Sequence, residues 1–193
     1  MASNPVSKIS EDQYLVIERA AERKSEFLDG EMFAMSGGTN RHGRIQRNLL
    51  VELGLALQDG PCEPFGSDSR VKVSNRAYVY PDATVVCGGQ QTVNDDDDIL
   101  VNPVAVFEVL SPSTEKCDRD MKSRLYRSIA SLQDYILVSH DELHVERFTR
   151  QPDGTWSLHD YQGPEDLLKI DSIGVAIPLR RIYRRAAILP ATG

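Results

Sequence analysis

The stretch Val104-Ala105-Val106-Phe107-Glu108-Val109-Leu110 decides how this 193-residue chain is built. Side chains alternate across a strand, so Val104, Val106, Glu108 and Leu110 share one face, and Ala105, Phe107 and Val109 the other. Both faces are apolar, the pattern of a central strand covered on each side. Glu108 breaks it. A lone carboxylate there is costly to bury unless a cation, a basic partner or a cleft compensates it. A strand-end glutamate that reaches water is the plainer alternative that these residues leave open.

Upstream of that strand, Arg70 to Ser74 and Ala77 to Cys87 read as strands. Downstream, a helix is expected from about Asp118 to Ala130, with Met121, Leu125 and Ile129 as its apolar stripe. Asp134 to Val138 and Leu143 to Thr149 then read as strands flanking His140-Asp141, with a further strand around Trp156 before a tail containing Pro and Arg. Toward the N-terminus, Ser10 caps a short helix ending near Ala21. Asp29-Gly30 is a two-residue hairpin turn between Glu26-Phe27-Leu28 and Glu31-Met32-Phe33-Ala34-Met35. Thr39 or Asn40 caps the next helix, whose apolar stripe is Ile45, Leu49, Leu53 and Leu57. Strands on both sides of a central helix predict an α/β (α+β) fold, a mixed sheet flanked by helices. With no repeat, linker or break in composition, one domain spans residues 1–193 with its core at about 10–183.

Composition narrows the function. With 40% hydrophobic and 26% charged residues, the chain has globular composition. No apolar run suits a membrane span, and Met1-Ala2-Ser3-Asn4-Pro5 lacks the layout of a secretory signal, so a cytoplasmic protein is expected. Cys62, Cys87 and Cys117 are odd in number and contain no C-x-x-C pair, which predicts three reduced, mostly buried thiols. A net charge of −7 argues against broad adhesion to nucleic acid. Four of the acids form Asp95-Asp96-Asp97-Asp98, expected as a solvated loop, while arginines and lysines cluster at 41–47, 116–127 and 180–185. Those clusters read as solvated faces that still permit local phosphate contact.

A second oddity is Tyr80-Pro81-Asp82, where proline is confined to a strand start, an edge or a bulge. Asp82 and Glu108 on neighbouring strands suit one Mg²⁺, which takes one or two protein carboxylates and keeps waters for a substrate phosphate. Lys122 borders the buried stripe of its helix and can stretch toward that pair, with a surface lysine as the alternative.

Taken in order, Tyr80-Pro81-Asp82, Asn102-Pro103, Glu108-Val109-Leu110-Ser111-Pro112-Ser113-Thr114, Asp118 to Lys122 and Tyr126 closely resemble the Uma-type family of restriction endonucleases, within the PD-(D/E)xK nuclease superfamily. Glu26 to Glu31, His42, Ser131 to Val138 and Val145 to Phe148 resemble it too, so the likeness runs from about Ser10 to Tyr183. It implies a restriction endonuclease-like fold and metal-assisted hydrolysis of phosphodiesters, with DNA as substrate ahead of RNA, no membrane, and a homodimer. Asp82, Glu108 and the Val109 carbonyl would hold Mg²⁺ or Mn²⁺. Leu110 stands where the superfamily places its lysine, and Lys122 on the following helix takes that place. Glu31 is the candidate upstream acid, with Glu26 behind it, and His42 would touch phosphate or assist the base. The alternative is a catalytically silent nuclease fold that binds nucleic acid or a protein partner. A metabolic enzyme is disfavoured by the lack of a Gly-rich phosphate loop or nucleophile elbow.

Overall fold

In the computed structural model, which describes residues 8–35, 37–93, 96–112 and 114–188, a capping box at Ser10 opens the first helix. The Ser10 hydroxyl accepts the Gln13 N–H and the Gln13 side chain accepts the Ser10 N–H, starting α1 (Glu11–Ala20). Strands β1 (Ser25–Leu28) and β2 (Glu31–Ala34) follow. Asp29 and Gly30 between them have φ of 56° and 91°, the two positive values that a primed hairpin turn requires. Thr39 caps α2 (Asn40–Leu57), and Ile45, Leu49, Leu53 and Leu57 are all buried, as the stripe predicts.

The chain continues through β3 (Cys62–Gly66), β4 (Arg70–Ser74), β5 (Ala77–Val79), β6 (Ala83–Cys87), β7 (Thr92–Val93), β8 (Asp96–Leu100) and β9 (Pro103–Val109). A helical segment comes next, made of α3 (Glu115–Cys117), a π-helical turn (Asp118–Lys122) and α4 (Ser123–Arg127). Then come β10 (Asp134–Val138), β11 (Val145–Arg150), β12 (Trp156–Tyr161), β13 (Leu167–Ile170), β14 (Val175–Pro178) and α5 (Leu179–Ile182).

Among the described residues two six-stranded sheets form, ordered β2-β1-β5-β4-β8-β7 and β12-β11-β10-β9-β6-β3, with β13-β14 as a separate hairpin. In the second sheet β9 pairs parallel with β10 and antiparallel with β6, the central position expected of it. One side of β9 (Ala105, Phe107, Val109) packs with the α2 stripe, the β13-β14 hairpin and α5. Its other side (Val106, Leu110) packs with Tyr126, Tyr135 and the first sheet's Val71 and Val79. Burial on both faces follows from a strand apolar on both.

Several expectations need correction. The single strand expected from Ala77 to Cys87 divides at Pro81, and β5 joins one sheet while β6 joins the other. A proline without an N–H cannot extend a ladder, so the break falls there and leaves Asp82 at the start of β6. Cys62 and Cys87 are disulfide-bonded rather than reduced, because antiparallel pairing of β3 with β6 sets them opposite each other. Cys117 is free and half-buried. Of the expected acidic loop, Asp96 to Asp98 belong to β8, and Asp98 pairs with Arg70 at 3.2 Å, while Asp95 lies outside the described residues. The helix expected from Asp118 starts earlier, at Glu115. Met121 of its stripe is 39% exposed, and Asp118, Lys122 and Tyr126 are buried in its stead. Beyond Trp156, β13, β14 and α5 add strand and helix where only a tail was read. Among the described residues, no helix is long and apolar enough to cross a membrane.

Candidate active site

The break at Pro81 and the end of β9 build the site together. Ala83 pairs with Phe107, so one further step along the ladder sets Asp82 opposite Glu108. The Val109 N–H donates to Asp82 Oδ2 at 2.7 Å, which ties the carboxylate to the end of β9. From the first turns of α2, Gln46 Nε2 donates to Asp82 Oδ1 at 3.0 Å and His42 Nε2 lies 3.2 Å from Asp82 Oδ2. These two side chains are four residues apart, hence neighbours on one helix face. The backbone of Val109 also faces the His42 ring.

Glu108 is held from the other side. Its Oε1 accepts the Tyr126 hydroxyl at 2.7 Å and lies 3.3 Å from Lys122 Nζ. The same ammonium is 2.8 Å from Glu26 Oε1 and 3.4 Å from Asp118 Oδ1. Glu26 Oε1 accepts the Tyr80 N–H at 3.2 Å as well. Asp118 Oδ1 makes no aligned hydrogen bond despite its burial. Asp82, Glu108, Asp118, Lys122 and His42 line a cleft of about 940 Å³, whose rim includes Lys24, Gly38 and Ser111. The π-helical turn brings Asp118 and Lys122 to the same cleft, and such turns recur at functional sites.

Glu108, Asp118, Lys122 and His42 each shift toward holding a proton. Burial holds the Glu108 carboxyl well above the usual carboxylate range; Lys122 opposes this, and Asp118, Asp82 and Glu26 add to it. Burial raises Asp118 in the same way. Burial disfavours the Lys122 ammonium, yet Glu108, Glu26 and Asp118 outweigh it and keep the lysine above its ordinary value. The Asp82 hydrogen bond raises His42 against its own burial. Four carboxyl groups (Glu26, Asp82, Glu108, Asp118) gather around Lys122 and His42.

Of the residues singled out in the sequence, Asp82, Glu108, Val109, Lys122 and His42 converge here. Glu31 does not. It lies on β2 opposite Leu28, and it is Glu26 on β1 whose carboxylate reaches Lys122. Gln46 and Asp118 were missed. Gln46 carried a signal in its four-residue spacing from His42, and Asp118 in its four-residue spacing from Lys122. Leu110, in the place of the superfamily's lysine, is 3% exposed and packs in the core.

Among the described residues, no group of three or more His, Cys, Asp or Glu side chains is arranged to hold a metal ion. Two carboxyl groups on adjacent strands and a buried carboxyl oxygen without an aligned hydrogen bond nonetheless fit a hydrated divalent cation, which needs few protein ligands.

The whole chain resembles known proteins. Over 186 residues it is 36% identical to an uncharacterized protein of Synechocystis sp., covering 96% of both chains. A second uncharacterized protein of that organism is 33% identical over 152 residues, covering 78% of this chain and 86% of the relative. The crystal structure of a putative nuclease belonging to DUF820 from Anabaena variabilis superposes with a TM-score of 0.73 at 17% identity, covering 91% of this chain and 97% of that one, a likeness of fold. The Uma2 family model, described as "Putative restriction endonuclease", matches residues 11–180, and the chain belongs to that family.

Proposed function

We propose that the protein is a metal-dependent endonuclease that hydrolyses phosphodiester bonds in DNA at the Asp82–Glu108 cleft. One observation carries this reading: Asp82 and Glu108 meet on neighbouring strands in one cleft beside the Lys122 ammonium and the His42 ring, an arrangement that suits one Mg²⁺ or Mn²⁺. Asp82 and Glu108, with the Val109 carbonyl, would hold that ion. Once bound, it polarises a phosphate and acidifies a water. The chain's own groups do the rest. Gln46 and the Val109 N–H fix Asp82, and Tyr126 fixes Glu108. Lys122 keeps its proton and offers positive charge to the phosphoryl oxygens. His42 beside Asp82 contacts phosphate. Two copies related by a twofold axis would address the two strands of a duplex, and the symmetric dimer is the commonest oligomer.

The test is incubation of supercoiled plasmid with Mg²⁺ or Mn²⁺, beside an identically prepared Glu108→Ala variant. Nicking abolished by EDTA and by the variant supports the reading. The buried Leu110 and the carboxylate-bound Lys122 favour a second reading, a silent nuclease fold that binds without cutting. That reading takes over if neither metal gives cleavage nor raises the melting temperature.

A further inference from the structure

We infer that Asp118 is a positioning residue, whose carboxylate, carried by the π-helical turn, steers the Lys122 ammonium toward Glu108 and the cleft. This rests on the nuclease reading for its consequence in catalysis, though not for the placement itself. Asp118 and Lys122 sit at the two ends of the π-helical turn, both buried, at 2% and 6% exposure. Lys122 Nζ is bracketed by Glu26 on β1, Glu108 on β9 and Asp118 on its own turn. A lysine stem has four rotatable bonds, and three carboxylates on separate elements leave it one place to point.

Asp118 is the least bound of the three carboxyls around Lys122. Its Oδ1 gains no aligned hydrogen bond from Lys122 at 3.4 Å, and its other side-chain partner is the exposed Thr114 one turn earlier. A buried carboxyl so weakly held is explained by the orientation it imposes on its neighbour, the trade expected at active sites. A residue that served the fold would show the opposite pattern. Its removal would leave a buried partner uncompensated, but Lys122 keeps Glu26 and Glu108 without Asp118.

Asp118→Asn, nearly the same shape without the charge, separates the two roles. The expected result is a melting temperature no lower than that of the parent and an unchanged KM for plasmid. The kcat for nicking falls roughly 10- to 100-fold, the scale of a small misplacement of a catalytic group. A readout independent of activity is acetylation of intact protein by N-hydroxysuccinimidyl acetate, followed lysine by lysine by mass spectrometry. Labelling of Lys122 rises several-fold in the variant, with exposed Lys116 as the internal control. If the parent does not cut DNA, the nuclease reading fails, and Lys122 labelling alone then decides the placement. A lower melting temperature with unchanged kcat, or unchanged Lys122 labelling, overturns the inference.

Discussion

Replacing Lys122 by methionine removes one charge and keeps most of the apolar stem, so it tests the buried cluster directly. Lys122 is 6% exposed and within 3.4 Å of three carboxylate oxygens, so exchange with water cannot replace it. Breaking a buried ion pair by removing one partner costs about 3–5 kcal/mol, because the other charge stays buried and unpaired. For a chain of this size each kcal/mol moves the melting temperature by about 2–4 °C, so the variant should melt roughly 6–20 °C lower at neutral pH. The loss depends on pH with a definite sign. Burial raises the Glu108 carboxyl above its ordinary value, so between the unfolded and folded pKa the native state holds a proton that the unfolded state has lost. Stability therefore falls as pH rises through that window, and removing the ammonium steepens the fall. Melts in EDTA from pH 5 to pH 8 should show the gap to the parent widening with pH. Adding Glu108→Gln should narrow it at the high end. A Lys122→Met protein that melts within about 2 °C of the parent at pH 7 would refute the buried cluster.

Other outcomes follow from single contacts. Glu26→Gln should cut nicking roughly 10- to 100-fold, since a hydrogen bond to a charged group contributes about 1.5–3 kcal/mol, whereas Glu31→Gln should leave it unchanged. Tyr126→Phe removes the hydroxyl that Glu108 accepts and should lower stability in urea by about 1–3 kcal/mol. Reducing Cys62–Cys87, which closes a 25-residue separation, should cost about 2–4 kcal/mol, with two newly alkylated thiols seen by mass spectrometry. Ser10→Ala should cost about 1 kcal/mol by removing the α1 cap, read as a lower urea midpoint.

Legibility followed the range of the interaction. The α1 cap, the Asp29-Gly30 turn and the α2 stripe depend on neighbours within one or two turns, and the structure has them where the sequence puts them. The division of the Ala77 to Cys87 segment between two sheets depends on what lies beside each half, so Pro81 marked the place but not the consequence. The disulfide is non-local in the same way: nothing near Cys62 names Cys87, and only the β3–β6 register does. Elements β13, β14 and α5 carry short apolar runs broken by charges, such as Leu167-Leu168-Lys169-Ile170, which alternate on a hairpin too brief to stand out.

For the site, the same division holds with a twist. Glu108 betrayed itself by sitting in an apolar strand, and Asp82 by following a proline, because each violates a local rule. Lys122 reaches Glu108 as its place beside the stripe suggests, and it is Met121 that differs: an ideal helix puts Met121 in the buried stripe, yet the π-helical turn leaves it exposed and turns Asp118 and Lys122 inward. The choice between Glu26 and Glu31 also went against local reasoning. Both flank the same hairpin, and an alternating strand would bury only one side of it. All four residues of β1 are buried, since one face meets α1 and the other the cluster, so Glu26 reaches Lys122 from a strand with no solvent face. A buried polar side chain is compensated by partners from distant segments, and those partners decide whether it is a defect or a site. Around Glu108 they are the Tyr126 hydroxyl and the Lys122 ammonium, which Glu26 and Asp118 meet as well. Carboxyl groups gathered from β1, β9 and the π-helical turn around one ammonium are a costly way to hold a fold together and an ordinary way to build a site.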